Sequence, residues 1–174
     1  LFAFPLNSGN TPNGAGALAG VFYFFAAMPF IFLLSRGWEF VLQLWVDAGY
    51  ASPPEPQSIV LLLSQKQEPL ALALLVILAV GIAPVVEELL FRGFIYRFLR
   101  GKIGPRFAMV LSSLFFATIH FNLYSFIALL LLGALLTRAY EKTGSIWSPI
   151  VLHACFNAST VSVLVILAHS APAN

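Results

Sequence analysis

The chain has 174 residues, of which 60% are hydrophobic and 9% charged, with a mean hydropathy of +0.91. These figures exclude a soluble domain with an ordinary polar surface and leave room for a single helical bundle in lipid. The net charge of +2 is too small for a nucleic-acid footprint, and the single cysteine, Cys155, excludes an internal disulfide.

The expected fold class is all-α: a polytopic transmembrane helical bundle with about five spans plus one or two interfacial helices. The chain opens at Leu1 without an initiator methionine or a basic n-region, so it shows no signal peptide and reads as a truncated or excised piece. Ala15 to Leu34 is uncharged and of spanning length, and Arg36-Gly37 is expected to end it. Trp38 to Ala48, with Glu39 and Asp47, and Ser58 to Gln67 are expected to lie along the membrane surface. The second span starts at Pro69, stays apolar to Val86, carries Glu87, Glu88 and Arg92, and closes in Arg97, Arg100 and Lys102. Gly104-Pro105 opens a third span that runs to about Phe121, since proline is tolerated in a first helical turn. Leu123 to Ala139 is the fourth and Ile146 to Ala168 the fifth, with His169 expected to be solvated at its end. This divides the chain into an N-terminal span with interfacial segments (1–68), a helical core (69–168) and a tail (169–174). By the positive-inside bias, the basic loops 97–106 and 138–145 are expected in the cytoplasm.

Only Glu87, Glu88 and Arg92 among the Lys, Arg, Asp and Glu residues fall well inside a span. Each costs roughly 2.5 to 3.5 kcal/mol on insertion scales. An ion pair that merely fixes packing is the structural alternative, but it has no use for a second adjacent carboxylate. At 1.5 Å per residue, Glu87 is roughly 20 Å from Arg100, His120 about 21 Å from Arg106, His153 roughly 16 Å from Lys142, and Asn157 about 22 Å from Lys142. Four polar side chains on three spans therefore reach a similar depth. His153 and Asn157 share a face at i and i+4, as do Glu88 and Arg92.

Glu87-Glu88-Leu-Leu-Phe-Arg92 matches EExxxR, Phe116-Ala-Thr-Ile-His120 matches FxxxH, and His153-Ala-Cys-Phe-Asn157 matches HxxxN. Each pattern alone is weak. In this order, one per span, they resemble the CAAX-protease and bacteriocin-processing (CPBP, or Abi) family, over roughly Pro69 to Leu167. The resemblance makes residues 69–168 a catalytic core and implies an intramembrane endopeptidase acting on a membrane-associated protein or peptide, with a bacterial plasma membrane as the expected location. Nothing in the chain reads a prenyl group.

Peptide hydrolysis needs an activated water, a polarised carbonyl and a stabilised oxyanion. Arg92 is one turn from Glu88, which makes Glu88 the expected ion-pair partner and leaves Glu87 to do chemistry. Burial and a neighbouring anion both disfavour a second charge, which suits Glu87 to take a proton from water. His120 would share that water, and His153 and Asn157 would each present an N–H to the oxyanion. The family's usual assignment, carried onto these positions, is the same. Phe116, one turn before His120, is a candidate pocket wall, although packing is the commoner use of such a residue. Ser113 and His120 share a face, but Ser113 lacks a nucleophile's surroundings and is expected to bond back to its own helix.

Two other classes compete: a non-catalytic membrane scaffold or immunity protein, and a proton-coupled transporter, against which the lack of an inverted repeat counts. A zinc-dependent protease is a further alternative, with Glu87, His120 and His153 as ligands. Their spacing does not resemble His-Glu-x-x-His, and the permanent cation Arg92 opposes a dication, so no cofactor is expected.

Overall fold

The computed structural model describes residues 13–53, 61–63 and 68–170. Among these the architecture is all-α, built on five long helices: α1 (Asn13–Asp47), α2 (Pro69–Ile103), α3 (Pro105–Thr118), α4 (Phe126–Thr143) and α5 (Trp147–Ser170). Pro69 and Pro105 sit in first turns, where a missing N–H leaves no helix bond unmade. Gly104 and Gly144 adopt φ of 80° and 64°, which lets α2 reverse into α3 and α4 into α5 over a few residues.

Three helices among the described residues are long and apolar enough to cross a membrane: α1, α2 and α5. Their outer faces carry side chains such as Phe22, Leu70 and Ile166, each more than half exposed. Such a surface would be a liability in water and suits hydrocarbon. The protein is an integral membrane protein.

Two expectations need correction. Arg36-Gly37 does not end the first helix: α1 continues through Trp38 to Asp47, so the separate interfacial helix is its last three turns. Arg36 pairs with Glu39 one turn on, and Gly37 faces open space, so neither breaks the helix. The third span is also shorter than expected. At 14 residues, α3 spans about 21 Å against roughly 30 Å of hydrocarbon, and α4 carries Arg138, Glu141 and Lys142 near its C-terminus. The two form a hairpin whose non-helical turn lies between Ile119 and Ser125. The interfacial helix expected at Ser58 to Gln67 lies outside the described residues except for 61–63, and the His169 side chain is likewise outside them.

Small residues set the helix spacing. A Cβ on Gly16 would come within 2.5 Å of Ser145 Oγ, and one on Gly20 within 2.5 Å of the Ser148 carbonyl, so this Gly-x-x-x-Gly pair lets α1 lie directly on the start of α5. Gly133 of α4 does the same for α3, where a Cβ would sit 3.1 Å from Ser113 Cα. Phe91, Phe116, Leu132, Leu136 and Leu152 fill the space between α2, α3, α4 and α5. At one end the basic loops meet, with Arg100 and Glu141 paired at 3.0 Å. At the other, Trp38 Nε1 donates to the Leu123 carbonyl at 2.8 Å and holds the α3–α4 turn against α1.

Candidate active site

The site starts from irregularities in α2. The helix widens to π geometry over Ile77–Ile82 and again over Leu89–Tyr96, flanking the short α-helical stretch Ala83–Glu88 that carries both glutamates. The first widening leaves one backbone acceptor to be satisfied from elsewhere. Ala83 N–H bonds to the Leu78 carbonyl five residues back, so the same register would pair the Ala79 carbonyl with residue 84. Residue 84 is proline and has no N–H to give. Asn157 fills the vacancy from α5, its Nδ2 donating to Ala79 O at 2.8 Å. The sequence carried the signal in Pro84, but not which residue would answer it.

One turn further along lies a fully buried ion cluster. Glu88 is 0% and Arg92 1% exposed, and Glu88 Oε1 accepts from Arg92 Nη1 and from His153 Nδ1, both at 2.8 Å. Arg92 Nη2 donates to the Gly133 carbonyl at 2.8 Å, which also accepts from Thr137 Oγ1 at 3.0 Å. The guanidinium lies 5.0 Å from the Phe116 ring centre, so its charge meets a carboxylate, a carbonyl and an aromatic face. The ion pair is the one that the i, i+4 spacing calls for. The contributions of Gly133 and Thr137 were missed, because a backbone acceptor on another helix leaves no mark in sequence.

Glu87 is placed differently. Its side chain is 28% exposed and lines a cavity of about 930 Å³ together with His120, His153 and Asn157. All four residues expected to carry chemistry therefore face one space, from α2, the α3–α4 turn and α5, so His120 stands just past the helix on which it was expected. Glu87 Oε2 lies 3.8 Å from His153 Nε2.

The histidine partners determine what each ring can offer. His120 Nδ1 is 2.7 Å from the Phe116 carbonyl, which can only accept, so Nδ1 carries the hydrogen and Nε2 of the neutral ring holds a lone pair. His153 Nδ1 is directed in the same way by the Glu88 carboxylate. This limits which hydrogens the expected donor pair has left to offer. One N–H of His153 is engaged by Glu88 and one of Asn157 by Ala79, so Asn157 retains its second amide hydrogen, and His153 donates from Nε2 only as an imidazolium.

Phe116 is not a cavity wall. It is fully buried and packs edge-on to His153 at 5.7 Å and tilted to His120 at 4.9 Å, so it spaces the two rings from behind. Ser113 donates to the Met109 carbonyl at 2.7 Å, the back-bond expected of it. The cavity also takes Ser35, Glu39 and Gln43 from α1, and Asn122 and Ser125 from the α3–α4 turn. Sequence reasoning missed these residues, although the four-residue repeat of polar side chains in α1 was there to be seen.

With the geometry in place, comparison with known proteins identifies the lineage. The model of the type II CAAX prenyl endopeptidase Rce1-like family matches residues 69–159, more than half of the chain. The protein belongs to this family. The Rce1-like match takes in Glu87, Glu88, Arg92, His120, His153 and Asn157, and leaves α1 outside it. One similar protein is "Putative membrane peptidase YdiL" of Bacillus subtilis, 31% identical over 91 residues, covering 52% of this chain and 37% of that one. Another is "UPF0177 protein YbdI" of Lactococcus lactis, 37% identical over 82 residues, covering 47% of this chain and 44% of that one. The chain matches less than half the length of either relative. No solved structure matches it.

Proposed function

We propose that this protein is an intramembrane endopeptidase that hydrolyses a peptide bond of a membrane-associated protein or peptide with a water activated by Glu87 and His120. The observation that carries this reading is the shared cavity of Glu87, His120, His153 and Asn157, and the Rce1-like family and the membrane-peptidase name of one relative support it.

In this mechanism Glu87 takes a proton from the water while His120 Nε2 accepts its second hydrogen and orients it. The hydroxide oxygen bonds to the substrate carbonyl carbon, and the carbonyl electron pair moves onto oxygen. The remaining amide hydrogen of Asn157 and Nε2–H of an imidazolium at His153 stabilise that oxyanion. Glu88, held by Arg92, fixes the direction of the His153 ring, so it is a positioning residue. When the C–N bond breaks, Glu87 returns its proton to the leaving amine. No step requires a metal. We further propose that residues 69–168 form the catalytic unit and that loops 97–106 and 138–145 face the cytoplasm.

The test is cleavage of membrane proteins by the active protein and by Glu87→Gln, read by mass spectrometry of new termini. Products made by the former and not the latter are expected. Equal cleavage by both removes Glu87 as the base, and activity lost on exhaustive chelation and restored by stoichiometric zinc overturns the metal-free assignment.

A further inference from the structure

Ser35, Glu39 and Gln43 recur every four residues and lie on one face of α1, the face turned to the cavity. Around them α1 is lipid-facing: Leu33, Phe40 and Leu44 are each more than half exposed. A polar stripe on a membrane helix needs a polar neighbour, and here that neighbour is the space containing Glu87 and His120.

We propose that Ser35, Glu39 and Gln43 form a binding subsite for an extended polypeptide segment next to the bond that is cut. The inference rests on the reading of the cavity as a site of peptide hydrolysis and assigns the substrate-binding wall to a helix outside the family-matched region. A peptide bond is open to attack only once its segment leaves helical geometry, and an extended segment then brings unpaired N–H and C=O groups into a largely apolar cavity. The stripe can answer both kinds of group. Ser35 donates to the Ile31 carbonyl and keeps lone pairs, Glu39 binds Arg36 through Oε2 and keeps Oε1, and Gln43 donates to Asp47 and keeps its carbonyl and a second amide hydrogen. Ser35 to Gln43 covers about 12 Å of helix, the length of three to four extended residues at roughly 3.3 Å each.

The experiment uses the purified full chain in detergent and a synthetic library of ten-residue peptides randomised one position at a time. Cleavage by the unaltered protein is compared with that by Ser35→Ala, Glu39→Gln, Gln43→Ala, the lipid-facing control Phe40→Ala, and Glu87→Gln. We expect each stripe variant to raise KM roughly three- to tenfold with kcat changed less than about twofold. The preferred residues should also shift at three or four positions on one side of the cut, while Phe40→Ala leaves the profile as it was. If the unaltered protein cuts, Glu87→Gln does not, and all three stripe variants keep the original KM and profile, the subsite is wrong and the hydrolytic reading stands. If the unaltered protein cuts nothing, or Glu87→Gln cuts equally well, the hydrolytic reading falls and the subsite falls with it.

Discussion

Glu87 and Glu88 are chain neighbours with the same side chain, and the fold gives them opposite surroundings. Glu88 belongs to a buried region in which its Oε1 meets Arg92 and His153 and Arg92 also reaches the Gly133 carbonyl, while Glu88 Oε2 and Arg92 Nε have no hydrogen-bond partner among the described residues. Glu87 belongs to a cavity face, 28% exposed, with no partner closer than the 3.8 Å contact to His153 among those described. Chemistry that consumes and returns a proton needs a carboxylate that is open to the cavity and not held in a short ion pair. A buried ion pair fixes geometry and leaves little freedom to react. On the proposed mechanism, one dipeptide supplies both a reagent and the frame that holds the reagent's partners.

The sharpest way to break this comparison is to treat the two carboxylates alike. Glu87→Gln should lower peptide cleavage by about 10²- to 10⁴-fold while leaving thermal stability within about 1 kcal/mol, as measured by unfolding in detergent beside a cleavage assay. Near-native turnover would remove Glu87 from the chemistry. Arg92→Ala should act on the frame, destabilising by about 3 to 5 kcal/mol because the buried Glu88 loses its permanent cation and keeps only His153, with activity lost alongside. An unchanged unfolding temperature would mean that the cluster is not what holds the helices in register.

The outcome for Arg92 bears on how far the sequence alone could be read. Charges at a four-residue spacing inside an apolar run made the Glu88–Arg92 pair legible, and the same spacing put His153 and Asn157 on one face. The Rce1-like membership and the all-α membrane fold followed from those motifs and from hydropathy. The histidine tautomers did not, because they depend on which acceptors other helices deliver to Nδ1. The length of α1 was misread for a local reason: Arg36-Gly37 has the composition of a helix stop, yet a partner at Glu39 and an open surface at Gly37 let the helix run on. The early end of α3 was equally hidden, since Ile119 to Phe121 is as apolar as the helix before it apart from His120.

Smaller effects refine the contrast between frame and cavity. Gly20→Leu should cost about 1 to 3 kcal/mol, because its side chain would push against the backbone at Ser148 and Leu152 and lift α1 from α5. If α1 forms the cavity's fourth wall, cleavage should fall further than stability does, and an equal loss of both would make α1 a packing element alone. The smallest expected effect is that of Ser113→Ala. Its hydroxyl only bonds back to Met109, so stability should stay within about 0.5 kcal/mol and activity should be unchanged. Loss of cleavage there would instead point to a serine nucleophile.

The shortness of α3 carries a consequence for the surrounding lipid. A hairpin whose first arm reaches about 21 Å ends some 9 Å short of the far side of a typical hydrocarbon slab. Just beyond that arm, Phe121 turns its exposed ring outward at a φ of 48°, and the non-helical backbone there needs polar partners that acyl chains do not provide. Lipids along this flank must shorten or tilt to meet it, leaving a dimple in one leaflet beside His120. The proposed proteolysis should therefore depend on the host membrane as well as on the substrate: in bilayers of increasing acyl length the protein meets a growing mismatch penalty of fractions of a kcal/mol per Å along the flank that holds His120.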